Sequence, residues 1–142
     1  MNFQNPGPEE IKALLTRVQT IAVVGLSPKP DRPSFGVSQA MQRFGYRIVP
    51  VRPALDEALG EKAYARLADI PFPVDMVNVF RDAAAIPGVV DEVIALGTTH
   101  GAPAIWIQEG IVHDAAAEKA RAAGLTVVMD RCVWKDYMRY MA

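Results

Sequence analysis

The chain has 142 residues, of which 51% are hydrophobic and 22% charged, and this composition is typical of one globular domain with a full core. A net charge of −1 gives no electrostatic reason to expect a nucleic acid or an anionic membrane as partner. One cysteine excludes an internal disulfide and suits a reducing cytoplasm, and with only two histidines a protein-only zinc site is not expected. We therefore expect a single cytoplasmic domain over residues 1–142, with no metal site.

Predicted helices and strands alternate along the chain. Apolar residues at helical spacing predict helices at residues 8–18, 82–96, 114–123 and 133–141, and a further helix that carries Val37, Met41 and Phe44 and ends at Gly45. The helix over residues 82–96 is expected to be interrupted near its start by Pro87-Gly88 and stopped by Gly97. Short apolar runs predict strands at residues 21–24, 46–51, 76–80, 104–107 and 125–129. Residues 56–60 are expected to form a turn or short helix, and residues 63–70 a short edge strand with a helical turn around Leu67. This alternation predicts a doubly wound, mostly parallel sheet with helices on both faces.

The loop after the first strand has the layout of a phosphate-binding loop. It begins at Gly25, carries serines and cations, and leads into a helix whose N-terminus offers free N–H groups and a partial positive charge. It is neither G-x-G-x-x-G nor a P-loop, and an ordinary connection is the alternative. Prolines within it favour a fixed shape over a mobile one. The residues predicted to bind here are Gly25, Leu26, Ser27, Pro28, Lys29, Arg32, Ser34, Phe35 and Gly36, with Ser34 as the helix N-cap.

The other predicted site residues follow later strands, because ligands of such sheets bind beyond the carboxyl ends of the strands. After the second strand, a NAD site needs an acidic residue, whereas this chain has Arg52 between Val51 and Pro53. If Arg52 is not simply a solvated loop residue, it indicates a ribose phosphate, as in NADP or coenzyme A, with Val51 and Pro53 flanking adenine. Phe80 and Arg81, and Gln108 after the next strand, complete the predicted site.

The sequence shows no catalytic constellation. Cys132 is either a reactive thiol at a helix start or a small buried hydrophobe. His100, predicted in a loop, and His113 have no nucleophile or carboxylate at a telling spacing, and G-x-S-x-G is absent. The sequence therefore predicts a protein that binds a nucleotide-type small molecule without being an enzyme. The alternative is a small NADP-binding oxidoreductase or a redox protein using Cys132. The aromatic tail could pack on its own domain or on a second copy, so a monomer or a homodimer is expected.

Five segments together resemble the small stand-alone CoA-binding proteins of bacteria and archaea. They are AVVGLS at residues 22–27, DRPSFGV at 31–37, GYRIVPV at 45–51, LADIP at 67–71 and VVMDRC at 127–132. That family has the fold of the CoA-binding domain of the succinyl-CoA synthetase alpha subunit. The resemblance implies a Rossmann-like domain with coenzyme A at the first loop, phosphates at Ser27, Lys29, Arg32 and Ser34, adenosine at residues 51–53, and Phe80-Arg81 lining the site.

Two features qualify what this resemblance implies about activity. Asn-Pro is common after the second strand in that family, whereas this chain has Arg52-Pro53, so NADP stays an alternative to coenzyme A. In the synthetase, catalysis needs a phosphorylated histidine on a following domain and a partner subunit, and the sequence shows no such domain. The resemblance therefore implies binding of CoA or an acyl-CoA without ligase chemistry.

Overall fold

The fold is built on one parallel sheet, seen in a computed structural model that describes residues 3–100 and 103–141, the side chains of 98–100 excepted. Its strands are β1 (Thr20–Val24), β2 (Arg47–Val51), β3 (Glu57–Ala58), β4 (Glu61–Lys62), β5 (Met76–Val79), β6 (Ala104–Ile107) and β7 (Val127–Met129). Five of them form the parallel sheet in the order β2-β1-β5-β6-β7, and β3 and β4 pair as a small antiparallel hairpin. The β-branched runs read from the sequence are thus buried strands, as parallel pairing requires.

Helices cover both faces of this sheet. They are α1 (Pro8–Arg17), α2 (Pro33–Arg43), α3 (Ile86–His100), α4 (Asp114–Ala122) and α5 (Val133–Tyr140), with short 3-10 turns at Leu67–Asp69 and Ala83–Ala85. One core lies beneath α3 and α4 and takes Ala22 and Val24 from β1; the other lies beneath α1, α2 and α5 and takes Ile21 and Val23. The predicted doubly wound, Rossmann-like fold is confirmed. No helix in the described part of the chain is both long and apolar enough to cross a membrane.

Two local predictions are wrong and a third is right only in part. Of the turn or short helix expected at residues 56–60, the turn is present, but it joins β3 to β4 in a hairpin, because Leu59 and Gly60 both adopt positive φ and reverse the chain. Helix α3 continues past Gly97 to His100, since packing of its apolar face outweighs the roughly 1 kcal/mol helical cost of a glycine. Pro87 lies in the first turn of α3 and does not interrupt it, as proline is tolerated there. The backbone of His100 is therefore helical, and Gly101 lies outside the described residues.

The strand order creates a switch point between β1 and β5. From β1 the chain adds β2 on one side, and from β5 it adds β6 and β7 on the other. Crevices for ligands form at the carboxyl ends of strands at such a point. The backbone ladder also runs one residue beyond the strands here, since Gly25 N–H donates to Val51 O (2.9 Å) and Phe80 N–H to Val24 O (2.9 Å). The residues that follow each strand are thus held in a fixed row.

Candidate functional site

A cleft of about 860 Å³ opens at the carboxyl ends of β1, β5 and β6. A second cavity of about 550 Å³ lies beside it at the end of β2. Both are lined by Gly25, Arg52, Phe80 and Arg81, so the two form adjoining parts of one groove. The predicted residues that line the cleft are Gly25, Ser27, Lys29, Arg32, Ser34, Arg52, Phe80, Arg81 and Gln108.

Gly25 allows the two central strand ends to come together. Its φ is +87°, and a Cβ placed on it would lie 2.5 Å from the carbonyl oxygen of Phe80. Any side chain would therefore push the loop away from β5, in addition to the strain of the left-handed backbone. The loop after β1 and the Phe80-Arg81 pair meet because this residue is glycine.

Two serines fix the loop between β1 and α2. The Ser34 hydroxyl oxygen accepts from the Ser27 N–H (2.9 Å), and the Ser27 hydroxyl oxygen accepts from the Lys29 N–H (3.2 Å). The prediction of Ser34 as N-cap is wrong: α2 begins at Pro33, its N-cap is Arg32, and the buried Ser34 is the second helical residue. Each hydroxyl accepts through a lone pair and still has its proton to donate, so both can also bind an anion.

Four cations around the groove have no acidic partner. Within residues 3–100 and 103–141, no carboxylate lies within ion-pairing distance of Lys29, Arg32, Arg52 or Arg81, and all four side chains are exposed. Cations of this kind next to a helix N-terminus create a positive potential that an anion would neutralise. The groove therefore has the electrostatics of a phosphate site.

The far end of the cleft is more apolar and contains one buried amide. Gln108, which is 6% exposed, accepts at its Oε1 from Asn78 Nδ2 (3.3 Å) and from the Val133 N–H (3.5 Å). Cys132, Ile111 and Trp134 line the same end, and Lys135 forms an ion pair with Glu109 (2.9 Å) at its rim. The hydrogen bond to Glu109, reinforced by its charge, raises the pKa of Lys135.

Comparison with known proteins identifies the family. Residues 19–138 match the family described as CoA binding domain, and this range contains every residue of the groove named above. The chain belongs to the CoA binding domain family. The resemblance of five short segments to this family predicts the membership, and the match to the family confirms it.

Individual relatives agree in size and fold with this CoA binding domain. The chain is 48% identical to YneT of Bacillus subtilis over 131 residues, which cover 92% of this chain and 94% of that protein. A solved structure of a hypothetical protein from Pyrococcus horikoshii superposes with a TM-score of 0.89 at 33% identity, covering 100% of both chains. These relatives are small stand-alone proteins, as predicted.

A larger relative matches only in part. Over 74 residues, 52% of this chain, the sequence is 23% identical to the ADP-forming acetate–CoA ligase of Methanocaldococcus jannaschii, and the match covers 10% of that enzyme. The predicted similarity to a domain of a CoA ligase is thus confirmed, and the chain corresponds to a small part of that protein.

Some predicted site residues of the CoA binding domain lie outside the cleft. Val51 and Pro53 line the second cavity instead. Leu26 is wholly buried and packs in the core under α1 and α2. Neither cavity is lined by Pro28, Phe35 or Gly36.

Other residues of the groove were not predicted. They are Pro33, Val37, Asp82, Glu109, Ile111, Trp134 and Lys135 in the cleft, with Val24, Ala65, Arg66, Leu67 and Glu92 in the second cavity. Trp134 and Lys135 lie in the first turn of α5, just after the end of β7, and that position was the available signal. Arg66 differs from the four free cations, because it pairs with Asp69 (3.3 Å).

Two further side chains singled out by residue type, those of His113 and Trp106, make structural hydrogen bonds. The described residues contain no group of three His, Cys, Asp or Glu that could hold a metal ion. His113 is the N-cap of α4, where its Nδ1 accepts from the Ala116 N–H (3.1 Å). Trp106 is buried and donates from its indole N–H to the carbonyl of Arg131 (2.8 Å). The side chain of His100 lies outside the description.

Proposed function

We propose that this protein binds coenzyme A, or an acyl-CoA, along the groove and has no catalytic activity of its own. The observation that carries the proposal is the cluster of unpaired cations at the switch point of a chain in the CoA binding domain family. Charge-assisted hydrogen bonds from such cations to phosphate are the strong ones. The pyrophosphate would lie against Lys29, Arg32 and the N-terminus of α2, and Arg52 would hold the ribose 3′-phosphate.

The dimensions of the row of strand ends also suit coenzyme A. Five parallel strands spaced about 4.8 Å apart place the end of β2 about 19 Å from the end of β7. A ligand that reached from Arg52 to Cys132 would be long, charged at one end and neutral at the other. Coenzyme A has this form, with its adenosine phosphates at one end and the pantetheine arm leading to a thiol.

Binding without chemistry is supported by the surroundings of the polar side chains. His113 is used as a helix cap, Glu109 is paired with Lys135, and Cys132 has no side-chain hydrogen bond at its helix N-cap. A nucleophile and its base must lie within hydrogen-bond reach of one another, and no such pair occurs among these groups. NADP remains the second candidate because Arg52 also suits a 2′-phosphate.

Calorimetric titration with CoA, acetyl-CoA, NADP, NAD and ATP tests the proposal. We expect CoA or acetyl-CoA to bind most tightly, and NAD to bind weakly because no carboxylate follows β2 to hold its ribose. A preference for NADP, or the absence of binding by every ligand in the set, would overturn it.

The same titration locates the 3′-phosphate when it includes 3′-dephospho-CoA and the Arg52→Ala variant. The wild type should bind dephospho-CoA more weakly than CoA, by roughly tenfold to a hundredfold for one charge-assisted contact. Arg52→Ala should bind the two ligands almost equally. If the variant still distinguishes them, Arg52 does not contact the 3′-phosphate.

A further inference from the structure

The neutral end of the groove contains the chain's one cysteine. Cys132 lines the cleft, is 7% exposed, and occupies the N-cap of α5 without a side-chain hydrogen bond. Its sulfur is therefore shielded from bulk solvent on most sides, and the cleft is where a reaction partner could meet it. Lys135, one turn further along α5, lines the same end of the cleft and is paired with Glu109 (2.9 Å).

Gln108 supplies an independent sign that this end receives a ligand. Asn78 Nδ2 donates to the carbonyl of Trp106 (3.1 Å), which fixes the orientation of that amide, and it also donates to Gln108 Oε1 (3.3 Å). The Gln108 nitrogen must then be on the opposite side of its own amide. None of the described residues accepts a hydrogen bond from it, and it is not one of the fully buried atoms, so this nitrogen of an otherwise buried side chain is open to the cleft.

An amide N–H that faces a ligand cleft is expected to meet an acceptor on the ligand, because a ligand that displaces water from this donor must replace the lost hydrogen bond. A carbonyl oxygen is the neutral acceptor that matches it, and the pantetheine arm carries two amide carbonyls. This end of the cleft thus contains both a donor for a carbonyl of the pantetheine arm, the Gln108 amide, and a sulfur that the thiol end of the arm could reach, that of Cys132.

We propose that Cys132 captures the thiol end of coenzyme A as a mixed disulfide, while Gln108 holds a carbonyl of the arm beside it. This inference rests on the proposed function, because the phosphate end must be bound for the arm to lie here. By this inference the groove takes two forms of its ligand, free CoA and CoA disulfide.

The step is a thiol–disulfide exchange that needs no other oxidant. The Cys132 sulfur, having released its proton to solvent, attacks one sulfur of CoA disulfide; that S–S bond breaks and the Cys132–CoA bond forms. The second CoA leaves as a thiolate and takes up a proton, so one disulfide is lost and one is gained. The N-terminus of α5, where Cys132 is the N-cap, favours the negative charge that is shared among the sulfurs during exchange. A reducing thiol reverses the step.

Intact-mass spectrometry of the full chain incubated with CoA disulfide tests this inference. We expect one CoA moiety per chain, removed by dithiothreitol and absent in Cys132→Ser, a variant that keeps a favourable N-cap residue for α5. Gln108→Met, which keeps the side-chain length without the donor, should react with CoA disulfide about tenfold more slowly while its alkylation by iodoacetamide is unchanged. Pantethine, which lacks the nucleotide, should react more slowly than CoA disulfide.

A second measurement does not depend on any variant. Reduced CoA should protect Cys132 of the wild type from iodoacetamide, because the arm would occupy the space in front of the sulfur. The inference is overturned if CoA binds by calorimetry but CoA disulfide forms no adduct with the wild type, or if bound CoA leaves the alkylation of Cys132 unchanged; the proposed function then still stands. It is also overturned if pantethine and CoA disulfide react equally fast, since Cys132 would then be an accessible thiol only. If CoA does not bind by calorimetry, the proposed function itself fails.

Discussion

Arg32 has separate roles for its backbone and its side chain. Its carbonyl accepts from the N–H groups of Phe35 (3.1 Å) and Gly36 (3.2 Å) and so starts helix α2. The guanidinium lines the cleft and forms no ion pair with the neighbouring Asp31. A substitution that shortens this side chain should therefore leave the helix start in place and affect only ligand binding.

Replacing Arg32 should weaken CoA binding. A charge-assisted hydrogen bond to phosphate contributes roughly 1.5–3 kcal/mol, so we expect Arg32→Ala to bind about tenfold to a hundredfold more weakly by calorimetry. Arg32→Lys should recover part of the loss, since lysine cannot make the bidentate contact. Arg43→Ala is the matched control, as it removes the same charge from the last turn of the same helix. Unchanged affinity in Arg32→Ala would mean that the phosphates bind elsewhere along the strand ends.

The sequence predicts which residues of the first loop are polar or charged, but not the position of every side chain. The serines and cations of the first loop could be predicted, because strand, glycine, polar loop and helix form a recognisable order. Ser34 was assigned to the N-cap, although Pro33 before it favours the first helical position and thus indicates Arg32 as the cap. The burial of Leu26 had no signal in the sequence, since the direction of its side chain depends on the positive φ of Gly25.

At the scale of elements, an aromatic cluster ties the tail to the domain. Tyr137 of α5 stacks on Phe44 (4.0 Å between ring centroids) and meets the edge of Tyr46 (5.9 Å). Tyr46, just before β2, donates from its hydroxyl to the carbonyl of Leu15 in α1 (2.5 Å). Part of the aromatic tail therefore packs on its own domain, and the same contacts fix the helix that carries Cys132. The expectation of a monomer or a homodimer stays a prediction.

Tyr46 should make this packing sensitive to alkaline pH. Burial, and to a lesser extent the nearby Tyr137, raises the pKa of Tyr46 from 10.0 to about 12. The folded state holds this proton more tightly than the unfolded state, so the contribution of Tyr46 to stability is complete below pH 10. It is lost between pH 10 and 12, by up to about 1.4 kcal/mol per pH unit.

Urea unfolding between pH 7 and 11.5 measures this effect. We expect Tyr46→Phe to lose about 1 kcal/mol at pH 7 through the missing hydrogen bond, and to lose less additional stability than the wild type above pH 10. Tyr64→Phe, which removes a partly buried phenol elsewhere, should keep the alkaline loss of the wild type. Parallel pH curves for wild type and Tyr46→Phe would contradict the assignment.

Elements long enough to show a period were predicted, and of the short ones the helical turn around Leu67 was predicted and is present at Leu67–Asp69, whereas the β3–β4 hairpin was not predicted. The main strands and the helices were found because β-branched runs and apolar stripes repeat over four or more residues. The β3–β4 hairpin has strands of two residues, too short for any alternation, and its Leu59-Gly60 turn lacks the usual Asn-Gly or Asp-Gly signature. Tertiary packing decided the length of α3, which propensity at Gly97 would have shortened.

At the scale of the whole molecule, strand order converts scattered sequence positions into one site. Alternation of strands and helices predicts the doubly wound class and the edge at which a ligand binds, but not which strands are neighbours. The order β2-β1-β5-β6-β7 places Arg52 at one end of the row and Cys132 at the other. The phosphate loop could thus be predicted locally, whereas the contribution of α5 depends on the position of β7 in the sheet.

The net charge of the chain and the local charge of the groove make opposite predictions about how salt concentration changes the affinity for an anionic ligand. The chain carries −1 in total, so its net charge would repel an anion, and screening would slightly favour binding. The four unpaired cations of the groove instead attract phosphate at short range. Charges exposed to solvent are screened over about 10 Å at 0.1 M salt, so the local attraction should weaken as salt is added.

We therefore expect CoA affinity to fall steadily as sodium chloride is raised from 50 to 500 mM in calorimetric titrations. The slope should be shallower for Arg32→Ala and for Arg52→Ala, because each variant loses one of the screened contacts. Arg43→Ala should keep the wild-type slope although its net charge changes by the same unit, which separates the local field from the total charge. An affinity that is constant or rises with salt would show that the cations of the groove do not bind the ligand's phosphates.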